Sequence, residues 1–426
     1  MKKSDHLTMN VYWFGLAFMW NALHPIILPA LLIHMVPDAL KNTALGSMTF
    51  AGLVLAMIIQ PLAGSMSDGT ESRWGRRRPW MAVGTALSLV FLGWMAAARS
   101  FLGLVAGYLL LQIVSNSAHG PAQGLIPDLV PEREHGIASG VKNLFDMLGL
   151  VVASLVAGNL ISEDSPTAPY AFAAIGGVLA ISTLVTLLTT REVPRIELET
   201  AIPAPGYEEE PQESAPRRLL AVDLSRYPDF AWLLVSRFLI LLGIYSVQGF
   251  AQYYIGDVLQ VQEPAQVTGN LMATIGLPLT LMVVPAGLLA DRIGRKRLNL
   301  IACLILIPSL LLLILARSVP ILLVFGSLIG LGTGIFVSAN WALATELIPK
   351  KEAGKYLGFT NLATAGASAV SRLAGPLIDG GNALHPGAYL GYTVLFILAS
   401  TSAFLGTLLL SRIKAGARRP RPAPAR

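Results

Sequence analysis

A single cysteine, Cys303, in 426 residues excludes an internal disulfide and a thiolate metal cage. Charge is also scarce. Asp, Glu, Lys and Arg make up 13% of the chain against 54% hydrophobic residues, and the mean hydropathy is +0.61. A soluble protein cannot hide that much apolar surface, so the composition indicates an integral membrane chain in contact with lipid. The net charge of +6 invites a nucleic-acid partner, but the basic residues sit at the ends of apolar runs and not on an amphipathic polar surface, which argues against one. No metal-binding His spacing, nucleophile elbow or phosphate loop is found. An enzyme is therefore not expected, and no cofactor is called for beyond a coupling ion, proton or sodium.

Long apolar runs are what the chain has. Crossing a hydrocarbon core of roughly 30 Å takes about 20 helical residues, and twelve runs qualify. In the first half they are Val11 to Ile33, Leu45 to Met66, Pro79 to Ala98, Leu102 to Pro127, Gly136 to Ile161 and Tyr170 to Leu188. The second half gives Asp229 to Ile255, Val267 to Ala290, Leu298 to Ala316, Val319 to Leu347, Gly354 to Ile378 and Tyr389 to Arg412. The first run follows a short basic start and reads as a retained helix, not a cleaved signal. Residues 191–228 are rich in Pro and Glu and read as a mobile cytoplasmic linker. The expected organisation is a six-helix bundle over 1–190, the linker, a second bundle over 229–412 and a basic, Pro-rich cytoplasmic tail over 413–426. With the N-terminus inside, the outer loops hold only Lys41, Arg99 and Arg317 among the basic residues, which puts both termini in the cytoplasm.

The chain repeats itself. Gly64, Asp68, Arg73, Gly75, Arg76, Arg77, Arg78 and Pro79 lie between the second and third runs, and a shorter version, Gly287, Asp291, Gly294, Arg295, Lys296 and Arg297, returns about 220 residues later. Pro127 to Gly136 likewise matches Thr345 to Gly354, and the same offset carries Gly140, Asn143 and Leu144 onto Gly358, Asn361 and Leu362. Two six-helix halves in parallel orientation resemble the major facilitator superfamily. That resemblance implies an all-α integral membrane fold of twelve transmembrane helices in two bundles, alternating access, and a plasma-membrane location, the cytoplasmic membrane in a bacterium. Such a fold encloses its own pathway, so a monomer is the default. By the same resemblance the basic loops form a cytoplasmic gate of Asp68, Arg73, Arg76, Arg77, Arg78, Asp291 and Arg295, whose charge-assisted contacts break when that side opens. Enforcing topology alone is the alternative role for these arginines. Gly64 and Gly287 are expected to let helices approach closely, and Gly75 and Gly294 to permit tight turns.

The first loop, Ser67-Asp68 through Ser72-Arg73-Trp74-Gly75-Arg76-Arg77-Arg78-Pro79, is similar without a gap to that of the plant sucrose-proton symporters and their relatives, in the glycoside-pentoside-hexuronide branch. Asn116, Gly120, Pro121, Leu125, Asp128 and Leu129 match the same group's fourth helix. Two positions depart. Gln112 and Gln123 stand where the symporters carry Asp and Arg, and an amide cannot take up a proton, so coupling through that site is not implied.

A polar stripe replaces it. Gln112, Asn116, His119 and Gln123 are spaced by four, three and four, on one face of the fourth helix. Lipid would not solvate that face, so it lines either a cavity suited to hydroxylated ligands or a hydrogen-bonded seam between helices. Further candidates for binding a solute are Asn21 and His24 before Pro25, Gln248 and Gln252, Asn361 and Arg372, and Asn340 with Trp341, whose ring could stack on a sugar or simply pack in the core. Asp146 lies about 15 Å into the fifth helix. With His24 or His119 and an arginine, Arg237 or Arg372, it is the candidate for ion coupling; a static bridge is the alternative. The expected function is secondary active transport of a small polar solute, a sugar or glycoside, with a symporter as the implied type. An exporter of amphiphilic compounds, using Tyr12, Trp13 and Trp20 as an apolar wall, is the rival, and a non-transporting sensor the remote one.

Overall fold

In the computed structural model the residues described are 3–161, 168–190, 192, 227–348 and 353–414. The tail beyond residue 414 and the linker, save Glu192, Tyr227 and Pro228, lie outside them. All regular structure among the described residues is helical.

The first apolar run forms α1 (Lys3–Ala22) and α2 (Leu28–Leu32), joined by a π-helical turn at Leu23–Ile27. Pro25 sits inside that turn. It has no N–H to return to the preceding turn, so the backbone widens there, a feature frequent at functional sites. α3 (Lys41–Asp68), α4 (Arg78–Ala97), α5 (Phe101–Gln123), α6 (Leu125–Leu129), α7 (His135–Leu160) and α8 (Pro169–Thr189) complete the first half. The second contains α9 (Pro228–Leu259), α10 (Pro264–Ile293), α11 (Arg295–Leu312), α12 (Val319–Leu347), α13 (Ala353–Ser371), α14 (Gly375–Leu384) and α15 (Leu390–Arg412).

Eleven helical stretches among the described residues are long and apolar enough to cross a bilayer. The remaining expected span, Gly354 to Ile378, is broken: a 3-10 turn at Arg372–Ala374 separates α13 from α14. α13 itself carries Lys355, Asn361 and several Gly, Ser and Thr residues, and the turn that Arg372 opens leaves α14 only ten residues, so neither piece is long and apolar enough on its own.

The chain divides into two compact units. The first holds Met1–Ala215, Gln248–Gly276 and Arg372–Tyr392, and the second holds Pro216–Val247, Leu277–Ser371 and Thr393–Arg426. Within the first, α1 packs on α7 and α8, α3 and α4 pack on α5, and α14 packs on α3. Within the second, α11 packs on α12. The tightest approach of α3 to α5 is at Gly120, where a Cβ would collide with the carbonyl oxygen of Gln60. Gly64, expected to serve that role, has room: its Cβ would stand 3.7 Å from the nearest atom, and the nearest to a Cβ on Gly287 would be 3.5 Å away. Gly75 and Gly294 do turn the basic loops, with φ of +94° and +97°, where L side chains are strained.

Candidate functional site

Ser100 caps α5, its hydroxyl accepting from the backbone N–H of Gly103 at 3.2 Å. From that start the helix places Tyr108, Gln112 and Asn116 at four-residue intervals, and their side chains join. Asn116 Nδ2 donates to Gln112 Oε1 at 2.9 Å, and Gln112 Nε2 donates to Tyr108 Oη at 2.7 Å. Tyr108 Oη lies 3.1 Å from His24 Nε2, next to the π turn, and Trp20 stacks on the His24 ring with centroids 5.0 Å apart. Because Gln112 uses an acceptor position of the phenol, the phenolic hydrogen is free for His24.

Two second-half segments complete this cluster within the first unit. Gln252, with its amide nitrogen turned inward, donates to the carbonyls of Ile26 and Pro25 at 2.9 and 3.0 Å, satisfying acceptors at the widened turn. Arg372 comes within electrostatic reach of His24 and Tyr108, and its guanidinium occupies the place a side chain on Gly249 would take. Its backbone is held as tightly. A Cβ on Gly46 would strike the Arg372 carbonyl oxygen, and one on Gly375 would strike that of Asn42.

The other half of the stripe enters a second cluster. Gln123 and His119 lie 3.2 Å apart, His119 meets Trp13 edge-on at 5.1 Å, and Lys142 Nζ stands 4.0 Å from the centroid of that same indole. Lys142 also donates to Asp146 at 2.9 Å. Asp146, for which the sequence points to an arginine partner, is thus paired one turn back on its own helix. Arg237 belongs to the second unit, where Nε donates to Thr364 Oγ1 at 2.9 Å and Nη1 to Asn340 Oδ1 at 2.8 Å. Trp341 is 39% exposed beside a fully buried Asn340, so these sequence neighbours meet different surroundings; Asn361 is exposed. Asn21 turns back to its own helix, donating to Ala17 O at 2.8 Å, and Gln248 is half-buried.

In the first basic loop Asp128 gathers Arg76 and Arg77. Arg76 donates to both oxygens of Asp128, Arg77 Nε donates to Oδ2 at 2.9 Å, and Asp68 pairs with Arg77. Glu192 adds a contact that the sequence did not mark: its carboxylate accepts from the backbone N–H of Arg77 and Arg78 at 2.9 and 3.0 Å. Burial raises the Glu192 carboxyl above its ordinary value, and those backbone donors pull it partly back. Arg78 reaches Leu187 O, whereas Arg73 is exposed. In the second loop Arg295 donates to Ala342 O at 2.8 Å and lies 3.4 Å from Asp291 and 3.5 Å from Glu346.

The model of the Major Facilitator Superfamily matches residues 6–371 and 262–426. The chain belongs to this superfamily. It is therefore a membrane transporter by family, and its fold agrees: a bacterial homolog of the human lysosomal transporter Spinster, in an inward-facing and unoccupied conformation, superposes with a TM-score of 0.76 at 14% identity, covering 99% of this chain and 100% of that one. The multi-drug resistance efflux pump PmrA of Streptococcus pneumoniae is 24% identical over 396 residues, 88% of this chain and 90% of its own. Sucrose transport protein SUC3 of Arabidopsis thaliana is 27% identical over 178 residues, 34% of this chain and 30% of its own.

One further polar assembly in this major facilitator chain went unmarked in the sequence. Lys41, whose side chain is 7% exposed, donates to Asp257 at 2.6 Å and Asp38 at 2.7 Å, and Tyr392 Oη donates to Asp257 at 2.6 Å. Beside it, Asp379 accepts from Asn42 Nδ2 at 2.8 Å and the Thr43 N–H at 2.7 Å. All lie in the first unit. The available signal was a set of opposite charges at the ends of the second, seventh and eleventh apolar runs. Tyr108 could have been found too, since it extends the Gln112 and Asn116 spacing by one turn.

Proposed function

We propose that this chain is a secondary active transporter that moves a small polar solute, a sugar or glycoside, by alternating access of its two halves, with both termini in the cytoplasm. The observation that carries the reading is the hydrogen-bonded row His24, Tyr108, Gln112 and Asn116 beneath the Trp20 ring. Hydroxyl, amide and imidazole groups both give and accept hydrogen bonds, and an aromatic plane beside them suits a sugar ring. Similarity to a sucrose transport protein over 34% of the chain supports the same class. Asp146 with Lys142, beside Trp13 and His119, is the coupling candidate. The Arg76, Arg77 and Asp128 cluster is the cytoplasmic gate, and the Lys41, Asp257 and Asp379 assembly is its counterpart on the outer side.

A second reading is export of amphiphilic compounds. Similarity to a drug efflux pump along 88% of the chain favours it, and Trp13 and Trp20 would supply the apolar wall. Uptake into proteoliposomes, screened over sugars with and without imposed proton or sodium gradients and competed by lipophilic cations, separates the two. Inhibition by lipophilic cations with none by any sugar would sink the first reading.

A further inference from the structure

Two of the buried cations among the described residues have anionic partners. Lys41 has Asp38 and Asp257, and Arg77 has Asp68 and Asp128. Arg237 does not. It lies nine residues into α9, about 14 Å along the helix axis, and is 4% exposed. Its two hydrogen bonds go to neutral groups, Thr364 Oγ1 and Asn340 Oδ1. The side chain in its electrostatic reach is Tyr245, and no carboxylate among the described residues pairs with it. A guanidinium at that depth without a counter-charge is costly, and such groups mark functional sites.

Asn340 makes the site more specific. Giving its carbonyl oxygen to Arg237 turns its Nδ2 inward, where it is buried without a hydrogen-bond partner among the described residues. A seam that merely tied α9 to α12 would satisfy that amide. Instead the cluster presents a fixed cation and an orphan donor and lacks an acceptor. Nη2 of Arg237 also makes no hydrogen bond among the described residues and, unlike Asn340 Nδ2, is not wholly buried, so the guanidinium fork has a donor to offer.

We propose that Arg237 and Asn340 bind an oxyanion carried by the solute, so that the transported sugar bears a carboxylate or phosphate group. An oxyanion would neutralise Arg237, take the fork in bidentate fashion and accept from Asn340 Nδ2. The proposal rests on the sugar reading above and narrows it to sugar acids or sugar phosphates.

The test uses the full chain in phosphatidylcholine vesicles, with glucose, glucuronate and glucose 6-phosphate as probes at one ionic strength. One of the charged sugars is expected to be taken up, or to compete, about tenfold better than glucose. Arg237→Gln should erase that preference, with only the modest fall in melting temperature expected from losing the hydrogen bonds to Thr364 and Asn340. Arg237→Lys, which keeps the charge and loses the fork, should retain part of it. Equal potency of charged and neutral sugars would overturn the proposal and leave the sugar reading standing; absence of flux with every sugar would overturn both. A structural role is indicated instead if Arg237→Gln melts several degrees lower and loses neutral and charged sugars alike. Adding phosphatidylglycerol to the vesicles distinguishes the source of the oxyanion: abolition of the preference would assign the site to a lipid headgroup and overturn the solute assignment.

Discussion

Lys41 and Asp257 meet at 2.6 Å although 216 positions separate them. One comes from the first half of the duplicated sequence and the other from the second, and both side chains are largely shielded from solvent. Removing either partner leaves the other charge buried. Lys41→Met is expected to destabilise the protein by roughly 3–5 kcal/mol, and Asp257→Asn by less because Lys41 keeps Asp38. The double variant should cost less than the sum, and additive losses in a thermal-melting cycle would show that the pair is not coupled.

The row on α5 makes a second prediction. Tyr108→Phe removes the oxygen that joins Gln112 to His24 and leaves the buried Gln112 amide and the half-buried His24 ring without that partner, a loss of about 1–3 kcal/mol in stability. If the row receives solute, KM should rise by about tenfold with little change in maximal rate. Transport kinetics of purified Tyr108→Phe check this, and an unchanged KM would remove the row from the binding site.

Coupling is tested at Asp146. Asp146→Asn should abolish accumulation against a gradient while solute exchange between equal concentrations persists. Lys142→Met should impair accumulation as well, since Lys142 is the partner seen at 2.9 Å. Full accumulation in Asp146→Asn would exclude this carboxylate as the coupling group.

The basic loop carries a pH dependence through Glu192. Its folded-state value is raised above 4.5, so the folded protein binds this proton more tightly than the unfolded chain. The resulting stabilisation is complete below the ordinary value and is lost as pH rises through the raised one. Relative to Glu192→Gln, the native protein should therefore lose melting temperature as pH rises above the ordinary carboxyl range. A constant difference across that rise would show that the carboxyl does not titrate there.

What the sequence made legible follows the range of its interactions. Twelve spans, their duplication and the spacing of Gln112, Asn116, His119 and Gln123 depend on local periodicity, and the helices and the four-residue contacts along α5 repeat it. The His24 to Tyr108 and Asn42 to Asp379 contacts cross 84 and 337 positions, and no periodicity encodes a partner in another helix. The arginine loop shows the same limit at shorter range. Spacing placed Asp68 near both Arg76 and Arg77, but which guanidinium reaches it, and that Asp128 takes the other, depends on how α5 and α6 meet the loop. Trp341 was coupled to Asn340 by adjacency alone, and consecutive helical residues point about 100° apart.

The break at Arg372 decides the parity of the chain. Counting unbroken apolar helices among the described residues gives eleven, an odd number that would leave the two ends of the protein on opposite sides of a bilayer. Counting α13 and α14 as one interrupted crossing makes the number even, the parity that the proposed placement of both ends on one side requires. The turn that separates α13 from α14 therefore also drops one of the twelve apolar runs from a count of unbroken helices. Reporter enzymes fused at the two ends should report the same compartment, and Arg372→Leu should leave both reports unchanged.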